Sequence, residues 1–60
     1  MSQIIVGDKV TLRHKPGVWG TVENLNNPTT PQLTRFDVRY PNGDVERGVT
    51  LANIDEHEPN

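Results

Sequence analysis

The chain has 60 residues, no cysteine, and a net charge of −2 from six basic and eight acidic residues. A chain this short forms a single domain, here expected over residues 1–60 with an ordered core from about residue 4 to residue 57, and it buries only about 60% of the surface that its unfolded form exposes. The missing cysteines exclude disulfides and thiolate metal sites and fit the reducing cytoplasm. The negative charge argues against a protein whose main task is to neutralise phosphate.

The first residues, MSQIIVGDKV, lack the basic start and the apolar run of a signal peptide. No stretch approaches the roughly 18 apolar residues of a membrane span. We therefore expect a cytoplasmic protein without a membrane partner. The charge is uneven, because residues 1–50 hold all six basic residues and five acidic ones, and the acidic excess lies in Asp55, Glu56 and Glu58. The rest of the chain can still present a basic face.

Four segments alternate apolar and polar residues, which is the period of a half-buried β-strand. They are KVTLRH, WGTVENL, RFDVRY and DVERGVT, beginning at residues 9, 19, 35 and 44. Leu51 and Ile54 then stand three residues apart, which predicts a single 3₁₀ turn, and a short last strand is expected near DEH. The predicted core consists of inward-facing apolar residues: Val6, Val10, Leu12, Val22, Phe36, Val38, Leu51 and Ile54, with either Val45 or Val49.

The segment YPNGD predicts a tight hairpin between the third and fourth strands. Pro41 presets φ for a type I turn, and Gly43 can take the left-handed conformation of a G1 bulge. A two-residue type I′ turn on Asn42 and Gly43 is the alternative, and it would shift the register by one residue. The segment NNPTTPQL, residues 26–33, contains two prolines and indicates a long exposed loop.

These elements together predict an all-β fold, a small five-stranded SH3-like barrel with a single 3₁₀ turn before the last strand, closed so that few strand edges are exposed. The segment VGDKVTLRHKPGVWGTVENL resembles the opening of SH3-like modules of the Tudor-like and KOW types, in which GD-x-V enters the first strand and G-x-V follows the first turn. FDVRYPNGDVERGVTLANIDE is similar to the close of the same modules. The resemblance implies a module that binds nucleic acid, protein tails or larger protein machines. The matching residues are Gly7, Asp8, Val10, Gly20 and Val22.

The segment GDKVTLRHKPGVWGTV also resembles the early part of plasmid-type (type II) dihydrofolate reductases, which are SH3-like barrels that form a tetramer around one pore. In that family a VQIY strand contacts folate and nicotinamide. The matching stretch here is VERG, with Glu46, Arg47 and Gly48 in place of glutamine, isoleucine and tyrosine. The amide, the apolar contact and the aromatic ring are lost together. We therefore predict no catalytic residues, no cofactor and no enzymatic activity, and a reductase-like oligomer is a remote alternative.

Trp19, the only tryptophan, is the first candidate for a binding residue. Strand alternation places it opposite Val22, away from the predicted core. An exposed indole could stack on a base, a proline or a cation, or become buried in a self-association interface. The alternative is that it packs over the mouth of the barrel against Pro16 or Leu33.

Four cations are the second candidate: Arg13, Lys15, Arg35 and Arg39. Arg13 and Arg39 take outward positions, and Arg35 shares a face with Arg39, so a cationic stripe near Trp19 is geometrically possible. A basic patch beside an aromatic side chain suits single-stranded nucleic acid. An ordinary solvated surface is the alternative, because Asp37 lies between two of the arginines.

Tyr40 faces inward by alternation but ends its strand beside Pro41, which predicts a residue at the rim and a weaker binding candidate. His14 and His57 lie far apart in the chain, and we expect structural or solvated roles and no metal site. No glycine-rich phosphate loop precedes a predicted helix.

The sequence as a whole predicts a stand-alone, non-catalytic binding module, of the kind that a bacterium or a mobile element encodes. A protein partner is the first choice because the net charge is negative, and nucleic acid is the alternative. A homo-oligomer is also possible, because a core this small gains from burying more apolar area.

Overall fold

The computed structural model describes residues 4–26 and 33–59. It contains five strands and one 3₁₀ turn, Leu51–Asn53, which precedes the last strand. This confirms the predicted all-β class, the five strands and the position of the turn. Residues 27–32, most of the predicted proline-containing loop, lie outside the described residues. The strands are β1 (Lys9–Leu12), β2 (Lys15–Asn26), β3 (Arg35–Arg39), β4 (Val45–Thr50) and β5 (Ile54–Glu58).

All strand pairs are antiparallel, and the strands form one sheet in the order β4-β3-β2-β1-β5. Within the described ranges β4 and β5 do not pair, so the sheet is open and has two edge strands. The prediction of a closed barrel is therefore wrong. The turn between β1 and β2 contacts the 3₁₀ turn that connects β4 to β5. In this contact the Arg13 N–H donates to the Asn53 carbonyl at 2.9 Å. Among the residues described, no helix has the length and apolar character needed to cross a bilayer.

The core follows the strand alternation closely. Six predicted residues are buried, and Ile54 packs against them while remaining partly buried. Ile4 and Tyr40 complete the core, although neither was predicted to belong to it. The six are Val10, Leu12, Val22, Phe36, Val38 and Val49.

Two predicted core residues are exposed, Val6 by 58% and Leu51 by 38%. Val6 lies in a tight turn before β1, where the Asp8 N–H donates to the Ile5 carbonyl at 3.1 Å. Leu51 begins the 3₁₀ turn, and only Ile54 beyond its other end reaches the core. Strand alternation does not govern which side chains point inward in turns, so the prediction fails at both.

The hairpin between β3 and β4 has the predicted geometry. The Gly43 N–H donates to the Tyr40 carbonyl at 2.9 Å, and the Tyr40 N–H donates to the Asp44 carbonyl at 2.8 Å. Gly43 has a φ of 95°, as the G1 bulge requires. The register confirms this turn, because Arg39 pairs with Val45.

A second irregularity decides which valine of β4 enters the core. Val38 pairs with Glu46, whereas Phe36 pairs with Val49, so β4 carries an extra residue between these pairs. Gly48 has a φ of 68° there, a conformation that favours glycine. The extra residue turns Val49 into the core beside Phe36, and Val45 is only partly buried.

Asp37 holds this bulge from the neighbouring strand. It accepts hydrogen bonds from Asn24 Nδ2 at 2.9 Å and from the Gly48 N–H at 3.3 Å, and it lies 3.5 Å from Arg47 Nη1. The hydrogen bond from Asn24 is the main cause that lowers the pKa of Asp37; burial opposes it, and Gly48 and Arg47 reinforce it. The stabilisation by this carboxylate is therefore complete above its ordinary pKa and is lost only as the pH falls through the lowered value.

Candidate functional site

An open groove of about 420 Å³ crosses the outer side of β1, β2 and β3 beside the β3–β4 hairpin. Three of the predicted site residues, Trp19, Arg39 and Tyr40, line it together. We call it the aromatic groove. Its lining residues are Lys9, Trp19, Thr21, Arg39, Tyr40, Pro41 and Gly43.

Trp19 lies outside the buried core and is 37% exposed, as the strand alternation predicted. In the β1–β2 ladder Val10 pairs with Gly20, and the next pair is Leu12 with Lys15. Residues 16–19 of β2 therefore stand where β1 has only Thr11, so β2 carries three extra residues there and forms a bulge. Trp19 ends this bulge and forms part of the groove wall, where its indole is available to a ligand.

Gly20, the next residue, makes room for the wall behind the groove. A Cβ atom at Gly20 would lie 2.3 Å from Val38 Cγ1 and 3.1 Å from two ring carbons of Tyr40. The missing side chain at Gly20 thus lets the Tyr40 ring approach the backbone of β2 closely. Tyr40 is only 4% exposed, so it is a core residue and not the predicted rim residue, although it also lines the groove.

Two cations contribute to the groove. Across the sheet Lys9 pairs with Thr21, and Thr21 pairs with Arg39, so the three side chains form one row. Lys9 has no ion-pair partner among residues 4–26 and 33–59. The Arg39 Nε donates to both carboxylate oxygens of Glu23, at 3.1 and 3.0 Å, which leaves its terminal nitrogens able to bind a ligand.

The other predicted cations lie elsewhere. Arg13 Nε donates to the Ala52 carbonyl at 2.9 Å and so binds the 3₁₀ turn. Arg35 is at the opposite end of β3 from Arg39, where its Nη1 donates to the Thr34 carbonyl. The four cations therefore do not form one stripe beside Trp19, and only Arg39 of the four lines the groove. Lys9 was missed, although it has the same outward parity as Arg13 in KVTLRH, and this parity was the available signal.

Lys15 belongs to a separate polar cluster centred on Glu46. The Lys15 ammonium lies 4.4 Å from the centroid of the Tyr40 ring and 3.9 Å from Glu46 Oε1. The Tyr40 hydroxyl donates to the same oxygen at 3.3 Å. The Nε2 atom of His14 contacts the other carboxylate oxygen of Glu46. The Nδ1 atom of the same ring contacts the side-chain amide of Asn53. This cluster joins the β1–β2 turn to β4 and to the 3₁₀ turn, across the open side of the sheet.

Both histidines have structural contacts, as the sequence suggested. His14 belongs to the Glu46 cluster, and His57 Nε2 donates to the buried Asp8 carboxylate at 2.7 Å. Among the described residues, no group of three or more histidine, aspartate or glutamate side chains could hold a metal ion.

The positions that match the reductase motif also have structural surroundings. Glu46 contacts Tyr40 and the β1–β2 turn, Arg47 is exposed beside Asp37, and Gly48 forms the β4 bulge. None of the three lines the aromatic groove.

The titration of Tyr40 tests whether its ring is buried and whether its hydroxyl is hydrogen-bonded to Glu46. Burial, reinforced by the charge and hydrogen bond of Glu46, raises the pKa of this phenol above its ordinary value of about 10. We expect the tyrosinate absorbance of this single tyrosine to appear at a higher pH in the folded protein than in urea. The neutral phenol stabilises the folded protein fully at a pH below the pKa of Tyr40 in the unfolded chain. This stabilisation should be lost as the pH rises through the higher pKa that Tyr40 has in the folded protein.

Glu46→Gln supplies the matched comparison for this titration. It removes the negative charge but leaves the ring buried, so the folded pKa should fall part of the way towards the ordinary value. An ordinary titration in the unmodified protein would contradict the burial of the ring.

The protein is a small all-β domain with an open five-stranded sheet. Its outer groove is lined by one indole and two cationic side chains. Comparisons with protein-family models, with curated proteins and with solved structures found no match.

Proposed function

We propose that the chain is a non-catalytic binding module of the SH3-like kind and that the aromatic groove binds a segment of a partner protein. The strand order and the 3₁₀ turn before β5 support the SH3-like assignment. The observation that carries the proposed binding role is the exposed Trp19 beside Lys9 and Arg39 in one groove. Exposed aromatic residues and arginines are the side chains that most often dominate binding energy at protein interfaces.

The charges around the groove favour a protein over a nucleic acid. Glu23 occupies one side of Arg39, and Glu58 pairs with Lys9 across the β1–β5 ladder on the same face of the sheet. Two carboxylates therefore flank the two cations. A nucleic-acid site instead needs an uncompensated positive surface along the phosphate backbone.

Nucleic acid is the second candidate, and the meeting of Trp19, Lys9 and Arg39 is the observation that favours it. A base could stack on the indole while the cations contact phosphate. This alternative predicts that a deoxythymidine decamer quenches the Trp19 fluorescence, with an affinity that falls steeply as salt rises.

A display library of random peptides tests the proposed function directly. Selected peptides should perturb the fluorescence of Trp19, the only tryptophan. Trp19→Ala should weaken their binding at least about tenfold, as expected for a buried aromatic anchor, and Trp19→Phe should retain part of it. Peptide binding to Trp19→Ala is measured by fluorescence polarisation of labelled peptides.

Arg47→Gln is the matched control, because Arg47 is exposed and lies outside the groove. It should leave the affinity unchanged. Selection of no peptide, or equal binding by Trp19→Ala, would contradict the proposal.

A cytoplasmic location and self-association stay predictions. A sizing column measures the oligomeric state, and a tetramer with turnover of dihydrofolate in the presence of a nicotinamide cofactor would support the reductase alternative instead.

A further inference from the structure

Building on the proposed function, we propose that the aromatic groove recognises an extended peptide segment in which a carboxylate side chain and a ring-bearing side chain stand two residues apart. The carboxylate binds between Lys9 and Arg39, above Thr21. The ring packs against Trp19.

The row of Lys9, Thr21 and Arg39 forms the anion-binding half of this site. Adjacent strands are about 4.8 Å apart, so the two cationic residues stand about 10 Å apart across the row. Their long side chains can converge on one anionic group, and Thr21 lies between them in the row. The Lys9 ammonium has no ion-pair partner in the part of the chain that the structure describes, and Arg39 keeps its terminal nitrogens for a ligand.

Trp19 forms the apolar half, together with Pro41 and Tyr40. It precedes Thr21 by two residues and lines the same groove. Two residues of a strand span about 7 Å, which is also the spacing of alternate side chains on one face of an extended peptide. The spacing in the groove therefore matches a carboxylate and a ring at positions i and i+2, in either chain direction.

The flanking carboxylates set the charge of the preferred anion. Glu23 is hydrogen-bonded to Arg39, and Glu58 stands beside Lys9 in the ladder. A carboxylate carries one negative charge, whereas a phosphate monoester carries nearly two at neutral pH and would be repelled more strongly. The groove is therefore expected to prefer aspartate or glutamate to a phosphorylated residue.

Five-residue acetylated amides provide the test. We would compare Gly-Glu-Ser-Phe-Gly and Gly-Phe-Ser-Glu-Gly with the versions in which glutamine or phosphoserine replaces glutamate, and follow Trp19 fluorescence. At least one glutamate peptide should bind about tenfold more tightly than its glutamine version, as expected for hydrogen bonds to a charged group. In Lys9→Gln this difference should largely disappear, and in Arg47→Gln it should persist.

The outcomes separate this inference from the proposed function. Equal binding of glutamate and glutamine peptides, tighter binding of phosphoserine peptides, or an unchanged preference in Lys9→Gln would overturn the inference while peptide binding through Trp19 stands. If none of the peptides binds, the inference also fails, and the random-peptide selection then decides the proposed function separately. A salt-sensitive response to the deoxythymidine decamer, with none to peptides, would overturn both.

Discussion

Asp8→Ala is expected to lower the free energy of unfolding by about 3 kcal/mol, because it removes one partner of a buried pair. Asp8 is 1% exposed and accepts hydrogen bonds from the Ile5 N–H at 3.0 Å and from His57 Nε2 at 2.7 Å. It thereby ties the segment before β1 to β5, an edge strand of the sheet. In a domain whose total stability is about 5–15 kcal/mol, this loss should appear as a large shift of the urea midpoint.

Asp55→Ala is the matched control, because Asp55 is an exposed carboxylate on the same strand as His57. It should change stability by less than about 0.5 kcal/mol. A double-mutant cycle of Asp8→Ala with His57→Ala then measures the coupling of the pair. Equal effects of Asp8→Ala and Asp55→Ala would refute the role given to the buried carboxylate.

Gly20→Ala is expected to destabilise the protein by about 1–3 kcal/mol through overpacking. Glycine in a strand ordinarily gains from replacement by alanine, because the unfolded chain loses conformational freedom. Gly20 should show the opposite sign, since its new Cβ would lie 2.3 Å from Val38 Cγ1. The backbone of Gly20 is outside the left-handed region, so space and not backbone strain requires glycine here. Urea unfolding measures the change.

Val38→Ala provides the background that isolates this clash. Removing the γ-carbons of Val38 should make the further change Gly20→Ala much less costly, because the nearest obstacle has gone. Similar costs in both backgrounds would show that the close approach of Val38 does not explain the requirement for glycine at position 20.

The local chemistry of the chain made the strands and the hairpin predictable. Phe36 and Val38 alternate with polar residues, and Pro41 and Gly43 satisfy the backbone demands of their turn within five residues. Such signals need no knowledge of distant contacts. The choice between Val45 and Val49 needed more, because a bulge at Gly48 held by Asp37 from another strand reverses the alternation.

The candidate site was only partly predictable for the same reason. The outward position of Trp19 follows from its parity with Val22, and parity also places Arg39 on the outer side. Lys9 and Thr21 also belong to the site, because the register of the three strands β1, β2 and β3 aligns them with Arg39. Arg13 lies outside the site because its guanidinium binds the Ala52 carbonyl, and Arg35 because it stands at the opposite end of β3 from Arg39.

The sequence by itself determined an all-β chain, the β3–β4 hairpin, most of the core and an indole outside it, because nearest-neighbour alternation and turn geometry are local properties. Only the tertiary structure decided that the sheet stays open between β4 and β5, that Val6 and Leu51 face solvent, and that Lys9 and Arg39 share a groove with Trp19. These features depend on strand register and on contacts between residues far apart in the chain, and the periodicity of a single strand carries no information about either.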